Sequence, residues 1–326
     1  MHAMENSEFL SSFSADTIKL AAQSLVKGNL VAFPTETVYG LGADALNSNA
    51  VARIYEVKGR PRYHPLIVHV HDWNAVDEWV REIPEYAMHL ARDYWPGPMT
   101  LILNRSKIAG DFITGGQDTV GIRIPDHAIA LALLNTFHEL GGKGVAAPSA
   151  NRFGHVSPTS AQAVTQEIAE YLGDSDVVLD GGDCQVGVES TIIDCTGELP
   201  NILRPGAITS EMILHSTSLK TLDINSTQVP RVSGNLEKHY SPEAKVILDQ
   251  VPRTGQGYIA LNSFETPAGV IRLASPRNHD EFAYSLYGAL RKADELDLTS
   301  LVVQQPEGDG IAIAIRDRLA RAERGR

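Results

Sequence analysis

The chain is poor in features that mark many protein classes. Only two of its 326 residues are cysteine, Cys184 and Cys195. No C-x-x-C occurs, so neither a zinc site nor a redox pair is expected. Both cysteines read as small buried apolar residues in a reducing cytosol. Positive charge is scarce as well: 28 Lys and Arg against 40 Asp and Glu leave a net charge of -12. That weighs against a protein held on nucleic acid or an anionic membrane by its overall field, while leaving room for a local basic patch. No apolar run approaches the roughly 18 residues of a membrane helix. The stretch "MHAMENSEFL" has neither the basic start nor the apolar core of a secretory signal. A cytoplasmic location without membrane partners is therefore expected. No segment of roughly 20 to 50 residues repeats, which excludes a solenoid or propeller.

Familiar catalytic signatures are missing too. "GGKGV" (Gly141 to Val145) is not the phosphate loop G-x-x-x-x-G-K-[ST]. No G-x-S-x-G marks a serine hydrolase. His69 and His71 form an H-x-H on one strand face, but with no third ligand in view they read as strand histidines rather than metal ligands. Nothing advertises a covalent nucleophile.

What is present is a folded α/β pattern. Hydrophobic residues make up 43% and charged residues 21%, as in a globular chain. The length suits about two domains of roughly 150 residues. Strand-like runs ("PLIVHV", "MTLILN", "TVGIRIP", "STIIDC") alternate with helix-like ones (Ile18 to Lys27, Asn49 to Lys58, Tyr86 to Tyr94, Ala128 to Leu140) over about the first 210 residues. From His215 to Pro242 Ser, Thr, Asn, Gly and Pro dominate, reading as a linker. A second, shorter α/β pattern follows. The expected division is 1–212 catalytic, 213–244 linker, and 245–326 a small domain.

Five polar loops stand out. In open α/β sheets ligands sit beyond the carboxyl ends of strands. In "PTETVYGLGA", Thr35, Thr37 and Tyr39 exceed what one helix cap requires, which favours a pocket wall. "KGRPRYHP" (Lys58 to Pro65) holds three cations and a histidine beside two stiff prolines; a helix-dipole role accounts for Lys58 better than for Arg60 and Arg62, and arginine matches phosphate bidentately. "APSANRFGHVSPTSA" offers Ser149, Asn151, Ser157 and Thr159 before a helix. "GVESTIID" and "ILRPGAIT" add Ser190, Thr191 and Arg204. Arg60, Arg123 and Arg204 together suggest anion handling by position and charge.

These motifs, in this order, resemble the YrdC-like threonylcarbamoyl-AMP synthases. The resemblance includes Lys58 and Arg60 as K-x-R, Ser149 and Asn151 as S-x-N, "KHYSPEAKV" as the linker of the long two-domain form, and "PEGDGIAIAIRDRLARA" near the end. It covers nearly the whole chain. It implies an N-terminal twisted mixed sheet with helices and a smaller Rossmann-like α/β domain. It implies a nucleotidyltransferase reaction in which L-threonine, bicarbonate or CO2, and ATP give threonylcarbamoyl-AMP and pyrophosphate. Magnesium would accompany ATP, no prosthetic group would be needed, and a tRNA threonylcarbamoyl transferase complex would take the product. By motif position Thr37, His69, Arg123 and Ser190 would contact threonine, with Arg123 on its carboxylate. Arg60, His64, Thr119, Ser149, Ser157, Arg204 and Tyr240 would contact ATP, and Lys58 and Asn151 would complete the phosphate site. Tyr240 would make the linker a lid that excludes water from a labile carbamate. No metal ligand stands out beyond Glu189.

Two other classes compete. One is a double-stranded-RNA-binding or ribosome-assembly protein using a concave patch of Arg60, Arg62 and Arg204; the acidic balance argues for weak or no direct tRNA binding. The other is a carbamoyl-transfer enzyme, whose extra zinc-finger segments two cysteines do not support.

Overall fold

The computed structural model describes residues 14–221, 230–232 and 240–325. His239 of the linker motif lies outside them. The first domain is built on a nine-stranded mixed sheet. Its strands are β1 (Val31–Phe33), β2 (Gly40–Asp44), β3 (Ile67–His69), β4 (Met99–Asn104), β5 (Thr119–Arg123), β6 (Val145–Ala146), β7 (Val177–Val178), β8 (Thr191–Asp194) and β9 (Asn201–Arg204). They run in the order β7-β1-β2-β6-β3-β5-β4-β8-β9. Parallel pairs (β3 with β5, β4 with β8) alternate with antiparallel ones (β4 with β5, β8 with β9). The expected mixed sheet is thus present.

The second domain pairs β10 (Lys245–Leu248), β11 (Gly257–Ile259), β12 (Ile271–Ala274) and β13 (Ser300–Val303) in the order β10-β13-β11-β12, all parallel. Two helices, His279–Glu295 and Ile311–Glu323, pack with it. Asn278 caps the first by accepting from the Glu281 amide. Its 3.6-residue spacing buries Phe282, Leu286, Tyr287, Leu290 and Ala293. This core continues into the first domain, because Val38, Val156 and Val188 belong to the same cluster. Gly187 marks how close the two come: at φ 80°, a Cβ there would lie 2.4 Å from the Ala283 carbonyl oxygen.

Two local expectations are revised. After β1 the chain does not enter a helix; it turns back as β2, antiparallel to β1, with Val31 opposite Gly42. Thr35 tightens this turn by accepting the Thr37 and Val38 amides and donating to the Val38 carbonyl. A helix unforeseen in the sequence, Ser210–Thr217, runs through residue 212 and covers the start of the expected linker. It packs on the helix Glu85–Tyr94, where Tyr94 donates to the Met212 carbonyl and Ser216 to Asp93. The helix Ala161–Ile168 tightens at its end into a 3-10 turn, Ala169–Tyr171. Both cysteines are buried and free, as expected.

Candidate active site

Strand alternation sorts the sheet into two faces. Val68, Leu101, Ile122 and Ile193 point into the main core. On the other face the register sets His69 beside Arg123 and Ile192 beside Arg204. A cavity of about 40 Å³ opens there, and His69, Arg123, Ser149, Ser190, Arg204 and Tyr240 all line it. Six of the residues expected from the sequence therefore converge. Glu189 joins them.

Each is held by an identifiable device. Arg123 donates to Thr37 Oγ1 at 2.8 Å and pairs with Glu36 Oε2 at 2.8 Å, both side chains buried. Arg204 straps the next wall, donating to the Ser190 carbonyl at 2.9 Å and the Ser190 hydroxyl at 3.1 Å. Ser190 also shares a hydrogen bond with Thr100 at 2.8 Å. His69 is 3% exposed. Burial, reinforced by Arg123, pushes its pKa down to about 3, so its ring is neutral at pH 7.

The K-x-R and S-x-N motifs meet. The helix Ser48–Lys58 stops at Gly59, whose φ of 61° turns the chain inward. Lys58 Nζ then donates to the Ser149 carbonyl at 2.6 Å and to the Asn151 carbonyl. Burial pushes the Lys58 pKa well down. Lys58 thus shapes the S-x-N loop from behind, and Asn151 pins it by donating to the Arg152 and His155 carbonyls. Arg60 is buried and donates to the Pro65 carbonyl at 3.0 Å. Burial lowers even its pKa to about 10.

Among the described residues, buried polar atoms without a hydrogen-bond partner include Arg60 Nε, His69 Nδ1, Arg123 Nε, Asn151 Oδ1 and Glu36 Oε1, while Glu36 Oε2 is held only by its ion pair with Arg123. Such atoms are costly in a folded interior and call for an explanation. Thr37, Lys58, Arg60, Asn151 and Ser157 do not line the cavity, and two further expected residues, Thr119 and His64, also stand apart from its wall. Thr119 begins β5 while Arg123 ends it, roughly 13 Å along the strand. The His64 ring packs between Tyr63 and Phe153, at 4.6 and 5.5 Å. Burial and the nearby Arg60 and Arg231 guanidiniums lower its pKa to about 4.

The linker and second domain complete the wall. Val232 packs with Ile102, Ile192 and Leu203, and Arg231 lies 6.0 Å over the Tyr63 ring. Tyr240 adopts φ 61°, a left-handed conformation uncommon outside glycine, and is buried. Its ring stacks on Tyr287 at 5.7 Å with Arg318 at 5.4 Å. Glu189 accepts from Ser157 at 2.6 Å, Tyr287 at 2.9 Å and Arg318 Nε at 2.8 Å. Burial alone would raise its pKa; Arg318, Arg204 and the Ser157 hydroxyl together hold it at about 2.

Sequence reasoning missed Glu36, Tyr287 and Arg318. Glu36 sat unremarked between two threonines. Arg318 carried a readable signal: with Ile315, Leu319 and Ala322 it lies on the buried stripe of its helix, where an unpaired cation is not tolerated.

A cavity on one sheet face lined by Arg123 and Arg204, with Tyr240 of the linker in its wall and Tyr287 of the second domain stacked on that ring, has the charge to suit anionic ligands. The chain belongs to the threonylcarbamoyl-AMP synthase family, in its long two-domain form. A family described as "Telomere recombination" matches residues 23–206, and one described as "Threonylcarbamoyl-AMP synthase, C-terminal domain" matches residues 208–323. A threonylcarbamoyl-AMP synthase of Pyrococcus abyssi is 38% identical over 94% of this chain and 93% of its own. One of Bacillus subtilis is 36% identical over 95% and 93%. The crystal structure of Pyrococcus abyssi Sua5 complexed with L-threonine aligns with a TM-score of 0.85 and 37% identity, covering 95% of each chain.

Proposed function

We infer that this chain joins L-threonine and ATP, with bicarbonate or CO2 as the carbon source, into threonylcarbamoyl-AMP and pyrophosphate. The observation that carries the reading is the convergence of His69, Arg123, Ser149, Ser190 and Arg204 on one cavity, with buried atoms of His69 and Arg123 left without hydrogen-bond partners. Threonine's carboxylate suits Arg123, whose guanidinium is steered by Thr37 and Glu36. Its polar side suits His69 and Ser190. ATP extends from the Arg60, Ser149, Ser157 and Arg204 side toward Thr119 and His64, with Tyr240 above it.

The chemistry needs no enzyme nucleophile. Threonine's neutral amine bonds to the carbon of CO2 and releases a proton to give the carbamate; from bicarbonate, that proton leaves with the displaced hydroxide as water. The carbamate oxygen then attacks the α-phosphorus, and the bond to the β-phosphate breaks to release pyrophosphate. Arg60 and Arg204 stabilise charge spreading over the phosphates. An ATP-using synthase calls for a divalent cation. Among the described residues no group of three or more His, Cys, Asp or Glu forms a cradle. The carboxylate of Glu189 is already taken up by Ser157, Tyr287 and Arg318. The protein side therefore does not fit a resident ion, and magnesium enters as part of the MgATP substrate. The product passes to a tRNA threonylcarbamoyl transferase complex. No helix of the described residues is long and apolar enough to cross a membrane.

The test is pyrophosphate release by the purified protein with MgATP, leaving out threonine and bicarbonate in turn. Release requiring both, with the mass of threonylcarbamoyl-AMP in the mixture, is expected. Release with neither, or ATP binding without release, would overturn the reading.

A further inference from the structure

We propose that Arg318, supplied by the second domain, is a positioning residue of the nucleotide site: it neutralises Glu189 so that the cavity accepts a polyanion. This deepens the synthase reading and rests on it. Glu189 lines the cavity next to Ser190 and is buried. A carboxylate is the wrong charge to place beside a triphosphate. Two of its three side-chain donors, Tyr287 and Arg318, come from the second domain; the third is Ser157. Only Arg318 brings a full positive charge.

The geometry makes Arg318 a two-point clamp. Its Nε holds Glu189 Oε2 at 2.8 Å, and its Nη2 reaches the Glu189 carbonyl at 3.3 Å, fixing the backbone just before Ser190. Asp317 holds Nη1 at 2.7 Å, which aims the fork. The side chain is 1% exposed, so this is no solvated surface pair. Removing one partner of such a pair leaves an uncompensated buried charge, here negative and facing the ligand. Ser157, expected to meet ATP, is turned by its bond to the same carboxylate. The second domain thereby sets both the charge and the hydroxyl orientation of the site.

The test compares full-length wild type, Arg318→Met, Glu189→Gln, the double variant and Arg318→Lys. KM for ATP, KM for threonine and kcat are read from pyrophosphate release, ATP affinity from calorimetry without threonine, and folding from thermal melts. Arg318→Met is expected to raise the ATP KM about tenfold or more with a smaller change for threonine. The double variant is expected to recover to within a few-fold of Glu189→Gln, because the stranded charge is gone. Arg318→Lys, which keeps the charge, is expected to stay within a few-fold of wild type in ATP affinity; if Arg318→Met melts below assay temperature, that variant decides. Equal losses for ATP and threonine, effects that simply multiply in the double variant, or an Arg318→Lys protein that no longer binds ATP would overturn the proposal. A wild-type protein that makes no product would instead sink the synthase reading. The calorimetric series would then still show whether Arg318 and Glu189 are coupled in binding a polyanion.

Discussion

In the first domain, buried polar atoms of Arg60, His69, Arg123, Asn151 and Glu36 lack hydrogen-bond partners among the described residues, and His69 and Arg123 line the small cavity. In the second, the comparable described atom is Arg291 Nε, and that side chain already reaches across to Glu167 at 3.0 Å. One domain keeps polar groups uncommitted, at a cost in stability, on the face where charged substrates would meet them. The other buries a conventional apolar core of Phe282, Leu286, Leu290, Leu301 and Leu319. The difference teaches where selection for function and selection for folding act. Yet the division is not clean, because Arg318 and Tyr287 leave the second domain to hold Glu189 at the site.

The most severe way to test that division is to cut it. Removing everything after residue 221 strips Val38, Val156 and Val188 of their apolar cover and takes two donors from Glu189. The first domain should stay folded, since its main core is assembled from its own strands and helices. Product formation should fall by about a hundredfold or more, the order seen when preorganised charge is lost from a site. Circular dichroism with the pyrophosphate assay checks both halves. A truncated chain that is folded and fully active would make the second domain dispensable.

A pair of point variants sharpens the contrast. Arg60→Ala should lower kcat/KM by about 10²–10³ while leaving the melt little changed, because among the described residues Arg60 contributes a single side-chain hydrogen bond, to the Pro65 carbonyl. Leu286→Ala removes a fully buried side chain of the second-domain core and should cost about 2–5 kcal/mol of stability. Its activity loss should appear only near its lowered melting temperature. Measuring kcat/KM and denaturant midpoints on both proteins decides this; similar profiles for the two would erase the distinction between the domains.

Much of this was legible in the sequence for physical reasons. Period-two runs such as "MTLILN" and "TVGIRIP" declared strands, and the polar loops after them declared where a ligand would sit. The convergence of His69, Arg123, Ser149, Ser190 and Arg204 followed from motif resemblance. What escaped was set by tertiary contact. Gly40–Asp44 lacks strong strand formers and becomes a strand through pairing with β1 and β6. The helix Ser210–Thr217 sits in a polar stretch and gains its reason from packing on Glu85–Tyr94. Lys58 looked like a phosphate ligand, but only the fold shows it tied to two carbonyls. The Glu189–Arg318 pair spans 129 positions of chain, a separation no local pattern reveals.

The mildest test uses pH to loosen the junction between the domains. Glu189 and Glu167 both bridge it, and both are held at about 2 in the folded protein against an ordinary 4.5. For each, burial acts to raise the value and is outweighed: by Arg318, Arg204 and Ser157 for Glu189, and by His155, Arg291 and the Arg152 amide for Glu167. A depressed carboxylate stabilises the fold above its unfolded pKa and loses that contribution as pH falls through the folded one. Wild type should therefore be the more stable protein than Glu189→Gln at pH 7, with the difference shrinking as pH drops from about 4.5 toward about 2. Thermal melts of the two proteins across that window check it. A gap that stays constant would mean that the Glu189 charge contributes nothing to holding the domains together, and that the junction rests on its apolar contacts and the Glu167–Arg291 pair.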